Sequence, residues 1–368
     1  MRFVHYYPGA MGDSGVTVAL WGWASALSAA GFEVLVLHGG GNAGERHTAE
    51  SFVTTREGSV EHRRIEHRGR GRQLRHPVDL GRHLRHADVL ILHEGWVSSN
   101  IVAAVSAARV GVPYIVVPHG VYEPSWRRYL RPPHAIREAI ERRVLERAAA
   151  VHLFFHSEAA SIMALAPAAK MVVSPTGIEI PEERWRGGGG YLAWVGRYDP
   201  THKGLDVLID AVSEIPPDRR PTIRLRGYDY RGGLARLATL LERRPGVDRS
   251  FEVGGPISGD EKRRFLLEAD WYILPSRWES HSVALLEALS LGVPSIVSGA
   301  LHIAPELRRY DAAVLATPDA PSLAEALMGL EGAAEVGPRG RAMVATEFSW
   351  KRVVDDLINQ LETLGLTR

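Results

Sequence analysis

Short apolar, β-rich runs alternate with helical stretches through most of the chain: RFVHYY at 2–7, VTVALWGWASALSAAG at 16–31, FEVLVLHGG at 32–40, DVLIL at 88–92 and PYIVVPHG at 113–120. Near-continuous apolar strands separated by helices predict a parallel sheet covered on both faces. After GGGG at 187–190 the rhythm restarts with YLAWVGR, GLDVLIDAVSEI, TIRLRG, RSFEVGG, WYILPS, VALLEALSLG and VPSIVSG. The pattern therefore predicts an α/β chain of two doubly wound halves joined near residue 185. Residues 14–32 carry no charge over 19 positions, yet three Gly, three Ser and a Thr dilute the run and a strand follows at once. It is expected to be a buried helix packed on a sheet rather than a membrane span. The last segment, FSWKRVVDDLINQLETL at 348–364, has apolar residues at helical spacing, as either a strap lying back on the first half or a plain terminal helix.

Composition adds limits. A length of 368 residues suits two domains, and 45% hydrophobic residues, 24% charged and a formal charge of +1 describe a globular chain with no global bias toward nucleic acid or membrane. With no cysteine, thiolate nucleophiles, disulfides and Cys-based metal sites are excluded. The start MRFVHYY lacks the apolar core of a signal peptide, so a cytoplasmic location is expected.

Four stretches carry candidate chemistry. PGAMGDSGV at 8–16 turns from the first strand into a helix; backbone N–H groups there favour an anion, and Gly15 permits close approach, or the turn is simply a tight connection. In VGRYDPTHKGLDVLIDA at 195–211, Arg197 ends a strand and Lys203 precedes Gly204 and a helix, so both cations can converge at the carboxyl end of the sheet. The chain holds 40 Arg and four Lys, which makes a Lys at this point unlike its background. In ESHSVALLE at 279–287, Ser282 is the expected N-cap, Val283 the first helical residue, and Gly292 the stop. Glu279 then precedes the helix while Glu287 lies about 7 Å further along its axis, either marking two parts of one long ligand or serving as ordinary surface carboxylates. Lastly, PHG at 118–120 sets His119 at a strand's carboxyl edge, as a ligand contact or a structural turn histidine.

Together these segments resemble the retaining glycosyltransferases of family 4, of GT-B architecture: two Rossmann-like doubly wound parallel-sheet domains facing a central cleft. The resemblance covers nearly the whole chain, through PHG, SPTGIEI at 174–180, the 195–211 segment, FEVGGPIS at 251–258 and PSRWESHSVALLEALSLGVPSIVS at 275–298, with its Glu, seven residues, Glu pattern. It implies an N-terminal acceptor-side domain at 1–183, a nucleotide-sugar domain at 184–345 and a C-terminal helix at 346–368 packing back on the first. It further implies catalytic roles for His119, Arg197, Lys203 and Glu279, with Gly15, Ile257, Ser280, His281, Ser282, Val283 and Glu287 binding the nucleotide sugar. The expected activity moves a hexosyl-type sugar from a nucleotide-diphosphate sugar to a hydroxyl of a glycan, lipid-linked or small-molecule acceptor. No metal or other cofactor is expected, because Arg197 and Lys203 would hold the diphosphate and the sequence contains no Asp-x-Asp pair. The alternative is a non-catalytic sugar-nucleotide-binding partner of such an enzyme. Ser280-His281-Ser282 replaces the Gly-Phe-Gly common after the first Glu, so sugar identity does not transfer from relatives.

Two basic stretches bear on partners. Residues 62–86 hold eight Arg and five His against two acidic residues, either a solvated loop or a surface for an acidic acceptor, an anionic membrane or, as the weakest reading, nucleic acid. Residues 122–148 mix Trp126, Tyr129 and Leu130 with Arg127, Arg128 and Arg131, which suits a membrane interface or sugar platform at 124–131, while Glu138, Glu141 and Glu146 balance the charge of the helix that follows. Nothing else in the chain leads to an expectation of nucleic acid.

Overall fold

The computed structural model describes residues 1–10, 14–39, 60–69, 75–124, 134–330 and 333–366. Along the first part run β1 (Arg2–Tyr6), β2 (Glu33–His38), β3 (Glu61–Arg64), β4 (His67–Arg68), β5 (His76–Pro77), β6 (Val89–His93), β7 (Tyr114–Val117), β8 (Ala150–Leu153) and β9 (Met171–Val173). Seven of them form one sheet in the order β3-β2-β1-β6-β7-β8-β9, every neighbouring pair parallel, while β4 and β5 pair separately and antiparallel. The second part holds β10 (Leu192–Tyr198), β11 (Ile223–Asp229), β12 (Phe251–Gly254), β13 (Trp271–Leu274), β14 (Ser295–Ser298) and β15 (Val314–Ala316), in the order β12-β11-β10-β13-β14-β15, again all parallel. The fold is thus α/β with two Rossmann-like sheets.

Helices on both faces account for the solid apolar runs. All four residues of β13 and of β7 are buried, as is every residue of β2 after Glu33. Each sheet has its own core, with Val4, Leu35, Leu90 and Val116 in one and Trp194, Leu208, Ile223 and Ile296 in the other. In each sheet the chain winds outward from its first strand, then returns to that strand's other side. The reversal lies between β1 and β6 in one sheet and between β10 and β13 in the other, and helices leaving such a pair toward opposite faces open a crevice at the carboxyl ends.

The chain separates into two compact units, Met1–Gly177 with Trp350–Arg368, and Ile178–Ser349. The passage between them falls at 177–178, before the glycine run that suggested a junction near 185. That run instead shapes a local turn. Gly187, Gly188 and Gly190 have φ of 66°, 81° and 71°, and the turn they make is tied by Gly188 N–H to Asp270 at 2.7 Å and Gly189 N–H to the Glu268 carbonyl at 2.9 Å. The helix Ala333–Glu347 belongs to the second unit, and the following helix Trp350–Thr363 to the first. Val353, Val354, Leu357 and Leu361 form the buried face of the latter. Its Gln360 side chain donates to the Val173 carbonyl and accepts from the Val173 N–H, both at 2.8 Å, completing the edge strand β9 as a further strand would. Trp350 stacks edge-on against Trp23, with ring centroids 5.6 Å apart.

The uncharged stretch forms the helix Gly15–Ala29, burying Leu20, Trp21, Trp23, Ala24 and Leu27. No helix among the described residues is long and apolar enough to cross a membrane. Part of the basic run at 62–86 is built into the fold: residues 61–64 make β3, and Arg63 pairs with Glu61 at 2.6 Å. Glu141 does not balance a surface helix. It is buried, accepting from the Tyr122 hydroxyl at 2.5 Å and the Trp96 N–H at 2.9 Å. Residues 70–74 and 125–133, including Trp126 to Arg131, lie outside the described residues.

Candidate functional site

The reversal point of the second sheet gathers most of the candidate residues. Arg197 is the penultimate residue of β10, followed by a tight loop to the helix Leu205–Glu214; β13 continues into Pro275–Glu279. Lys203 N–H closes the first loop on the Asp199 carbonyl at 2.8 Å. Gly204 follows at φ 65°, and a Cβ there would stand 2.0 Å from the Pro275 carbonyl oxygen, so only glycine lets the two loops meet. They are then stapled three times. Arg277 forks onto Asp206 at 2.7 and 2.9 Å, His202 stacks on Trp278 with centroids 4.4 Å apart, and Lys203 Nζ reaches Glu279 Oε1 at 2.6 Å.

The histidine between the cations orients one of them. Arg197 donates to His202 Nδ1 at 2.6 Å, and because a guanidinium has no lone pair, Nδ1 must accept. His202 Nε2 therefore carries the proton and donates to the Trp278 carbonyl at 2.8 Å. Burial, with further push from Lys203 and Arg197 against the pull of Glu279, lowers His202 to about 4, so it is neutral in this role. The Arg197 guanidinium also lies over the Tyr230 ring at 4.7 Å. Glu279 is the reverse case. Burial alone would raise its carboxyl, but Lys203, His202 and the Ser276 hydroxyl at 2.8 Å outweigh burial and hold it at about 2. The bonds from Lys203 and Ser276 both end on Oε1, which leaves Oε2 as the oxygen to offer a ligand.

Ser282 caps the helix Val283–Leu291, accepting from Leu285 N–H, and Gly292 ends it in the left-handed region. Glu279 is thus a loop residue and Glu287 a helix residue, as the capping signals predict. Glu287 is ion-paired with Lys262 of the helix Gly259–Glu268, which follows the loop carrying half-buried Ile257. Ser280 and His281 fill the loop between the two carboxylates; burial, against Glu279, lowers His281 to about 4. Arg197, Lys203, Glu279, Ser280, His281, Ser282 and Val283 therefore share one sheet edge.

The first unit has its own cluster at the β1 and β6 reversal. Gly15 opens the helix Gly15–Ala29, with Ser14 as its cap accepting from Thr17 N–H at 3.2 Å. Gly15 is exposed, and no described atom would lie within 4 Å of a Cβ there, so the protein's own packing does not call for glycine. His119 follows β7 at φ 54°. Two more non-glycine residues with positive φ, Glu94 and Trp96, follow β6, so strained backbone concentrates at the carboxyl ends of two adjacent strands. His119 Nε2 contacts His93 Nδ1 at 2.9 Å, and His93 Nε2 contacts His5 Nδ1 at 3.0 Å. Burial and neighbouring histidines keep the inner two neutral: His5 is lowered to about 3 by burial and then His152, and His93 well below its usual value by burial and then His119. Beyond the ends of β2 and β3, Gly39, Arg64, Ile65, Glu66, His67 and Arg75 line a recess of about 410 Å³.

Sequence reading missed His202, Trp278, Ser276 and Lys262, along with His5 and His93. His5 and His93 had a signal, being polar residues within the apolar runs FVHY and VLILH. His202 had only its place beside Lys203, one histidine among 16.

Comparison with known proteins bears on the family and the fold. Residues 14–177 match the family model "Glycosyl transferase 4-like domain", and residues 189–331 match "Glycosyl transferases group 1". Among curated proteins, none matches the sequence closely enough to count as a relative. Solved structures share the fold over the whole chain. Sucrose-phosphate synthase from Thermosynechococcus elongatus superposes with a TM-score of 0.75 at 17% identity, covering 99% of both chains. Anabaena HepE in complex with UDP-glucose gives 0.79 at 16%, covering 99% of this chain and 100% of the other. A variant of S. aureus TarM in complex with fondaparinux, alpha-GlcNAc-glycerol and UDP gives 0.72 at 9%, covering 97% and 99%. With one family model on each half, and a fold shared with these neighbours, the chain belongs to the family 4-type glycosyltransferases of GT-B fold.

Proposed function

We propose that the protein transfers a hexosyl-type sugar, with retention and without a metal, from a nucleotide-diphosphate sugar to a hydroxyl of a glycan, lipid-linked or small-molecule acceptor. The observation that carries this reading is the pairing of Arg197, oriented by His202, with Lys203 at the reversal of the second sheet. Two cations fixed at such an edge suit a diphosphate, and the absence of any Asp-x-Asp pair gives a divalent ion no such seat. Glu287, further along its helix, takes the ribose hydroxyls, with Ile257 beside the nucleotide. Glu279 Oε2 and the Ser280 to Val283 backbone orient the sugar and its phosphate, and Gly15 leaves room for the phosphate or acceptor at the other helix start.

In the reaction the bond from the anomeric carbon to the phosphate oxygen breaks as the acceptor oxygen bonds to the same face. The acceptor proton passes to the departing phosphate. Arg197 and Lys203 neutralise the charge that grows there, which is worth most in a water-excluded site. Glu279 is held by Lys203 and Ser276 in a positioning role, not as a covalent nucleophile. His119 hydrogen-bonds the sugar or acceptor. Peripheral contact with an anionic membrane through the exposed part of 62–86 belongs to the same proposal, and co-sedimentation with phosphatidylserine vesicles tests it.

The deciding experiment is a thermal-shift panel of UDP, GDP, ADP and dTDP with their sugars, followed by donor hydrolysis and transfer with a chelator present. HepE complexes make UDP-glucose the first donor to try. Stabilisation by one nucleotide and sugar release in chelator support the proposal. Binding without any sugar release supports the non-catalytic alternative, and strict metal dependence contradicts the cation-only reading.

A further inference from the structure

The three histidines of the first unit form one continuous chain through the sheet's carboxyl edge. His5 is 1% exposed on β1 and His93 1% exposed on β6, and their rings stack at 5.3 Å; His93 and His119 stack at 5.2 Å. Asn100 fixes the backbone beneath the middle ring by donating to the carbonyls of His93 and Glu94 at 3.1 and 3.0 Å. Among the described residues, Tyr7 and His152 also lie beside the chain; His152 is itself committed, donating from Nε2 to the Ser174 carbonyl at 2.7 Å.

A neutral imidazole has one N–H and one lone pair. With His119 taken as neutral like the inner two, three rings linked from Nδ1 to Nε2 can satisfy both links in only two ways. In one, His119 donates from Nε2 to His93, His93 donates to His5, and the His5 proton ends on Nε2. That nitrogen is buried and has no partner among the described residues, so this arrangement buries an N–H with nothing to receive it. In the other, His5 donates from Nδ1 to His93, His93 donates from Nδ1 to His119, and only a lone pair is left bare at the buried end. Orphaned buried N–H groups are the rarer and costlier kind, which favours the second direction.

We propose that His93, backed by His5, is a positioning residue: it donates its Nδ1 proton to Nε2 of His119 and so holds His119 with its own proton on Nδ1. His119 then meets a ligand oxygen as a hydrogen-bond donor and is not the base that removes the acceptor proton. The consequence for transfer rests on the role proposed above for His119; the tautomer itself does not.

The test is a long-range proton–nitrogen correlation spectrum of the full-length protein labelled with ¹⁵N-histidine, at neutral pH and without ligand. His119 is expected with its proton on Nδ1, in at least about tenfold excess, the reverse of the preference of a free histidine side chain. In His93→Phe, His119 is expected to revert to a majority of Nε2–H. A His119 proton on Nε2 in the native protein, or a charged His119 ring, overturns the proposal, as does a His119 tautomer unmoved by His93→Phe. If that variant does not fold, the native spectrum alone decides. Where transfer is measured, His93→Phe is expected to lower kcat about threefold to tenfold while KM for the donor changes little; equal loss in both speaks against positioning. The spectrum needs no turnover, so failure of the transferase reading and failure of this one are separate results.

Discussion

Glu279 offers a quantitative test of the site. Its carboxyl is moved from an ordinary 4.5 to about 2, because Lys203, then His202 and Ser276, outweigh the burial that would raise it. At about 1.4 kcal/mol for each tenfold, the shift is worth about 3 kcal/mol of folding stability. Side-chain exposures of 13% for Lys203 and 10% for Glu279 mean that solvent screens little of it. The sign follows from linkage: a depressed carboxyl stabilises the folded state above its unfolded value, and the contribution is lost as pH falls toward about 2. Urea unfolding of the native protein and of Glu279→Gln, compared from pH 7 down to pH 3, reads this group together with His202, which is coupled to it and titrates at about 4 in the same window. The native protein's advantage over the variant is expected to shrink on acidification, by about 2 kcal/mol at pH 3. A gap that stays flat across that range refutes the pairing. Lys203→Met, which strands the buried carboxylate, is expected to cost about 3 to 5 kcal/mol at pH 7, with part recovered in the double variant.

Other perturbations reach different parts of the molecule. Arg197→Lys keeps the charge but loses the fork held by His202, and is expected to weaken nucleoside-diphosphate binding about tenfold to hundredfold by calorimetry; unchanged affinity removes Arg197 from the diphosphate site. Gly204→Ala drives a Cβ against the Pro275 carbonyl at a positive φ, so urea unfolding is expected to show a loss of about 3 kcal/mol or more. Gln360→Ala removes both bonds to Val173 and is expected to cost about 1–3 kcal/mol. Hydrogen exchange at the Val173 amide reads that loss directly, and unchanged protection would show that the terminal helix does not complete the edge.

Much of this protein is legible locally. Strand and helix runs, the cap at Ser282, the stop at Gly292 and the order of motifs are all determined by neighbours a few residues apart, since periodicity and capping act over one or two turns. The resemblance to the family rests on that order, with Arg197, Lys203-Gly204 and the two glutamates standing where the family's motifs stand. What only the tertiary structure decided are partnerships across long stretches of chain. Lys203 finds Glu279 across 76 residues, His5 finds His93 across 88, and Gln360 finds Val173 across 187. Glu141 became a buried acceptor for Tyr122 and Trp96, and the glycine run became a turn inside one unit rather than a junction. The sequence by itself determines which segments become strands and helices and what chemistry they carry. The winding of the sheets, reversing between β1 and β6 and between β10 and β13, decides which side chains meet. Burial then fixes their charge, because ionisation depends on the solvent and partners that the fold removes or supplies.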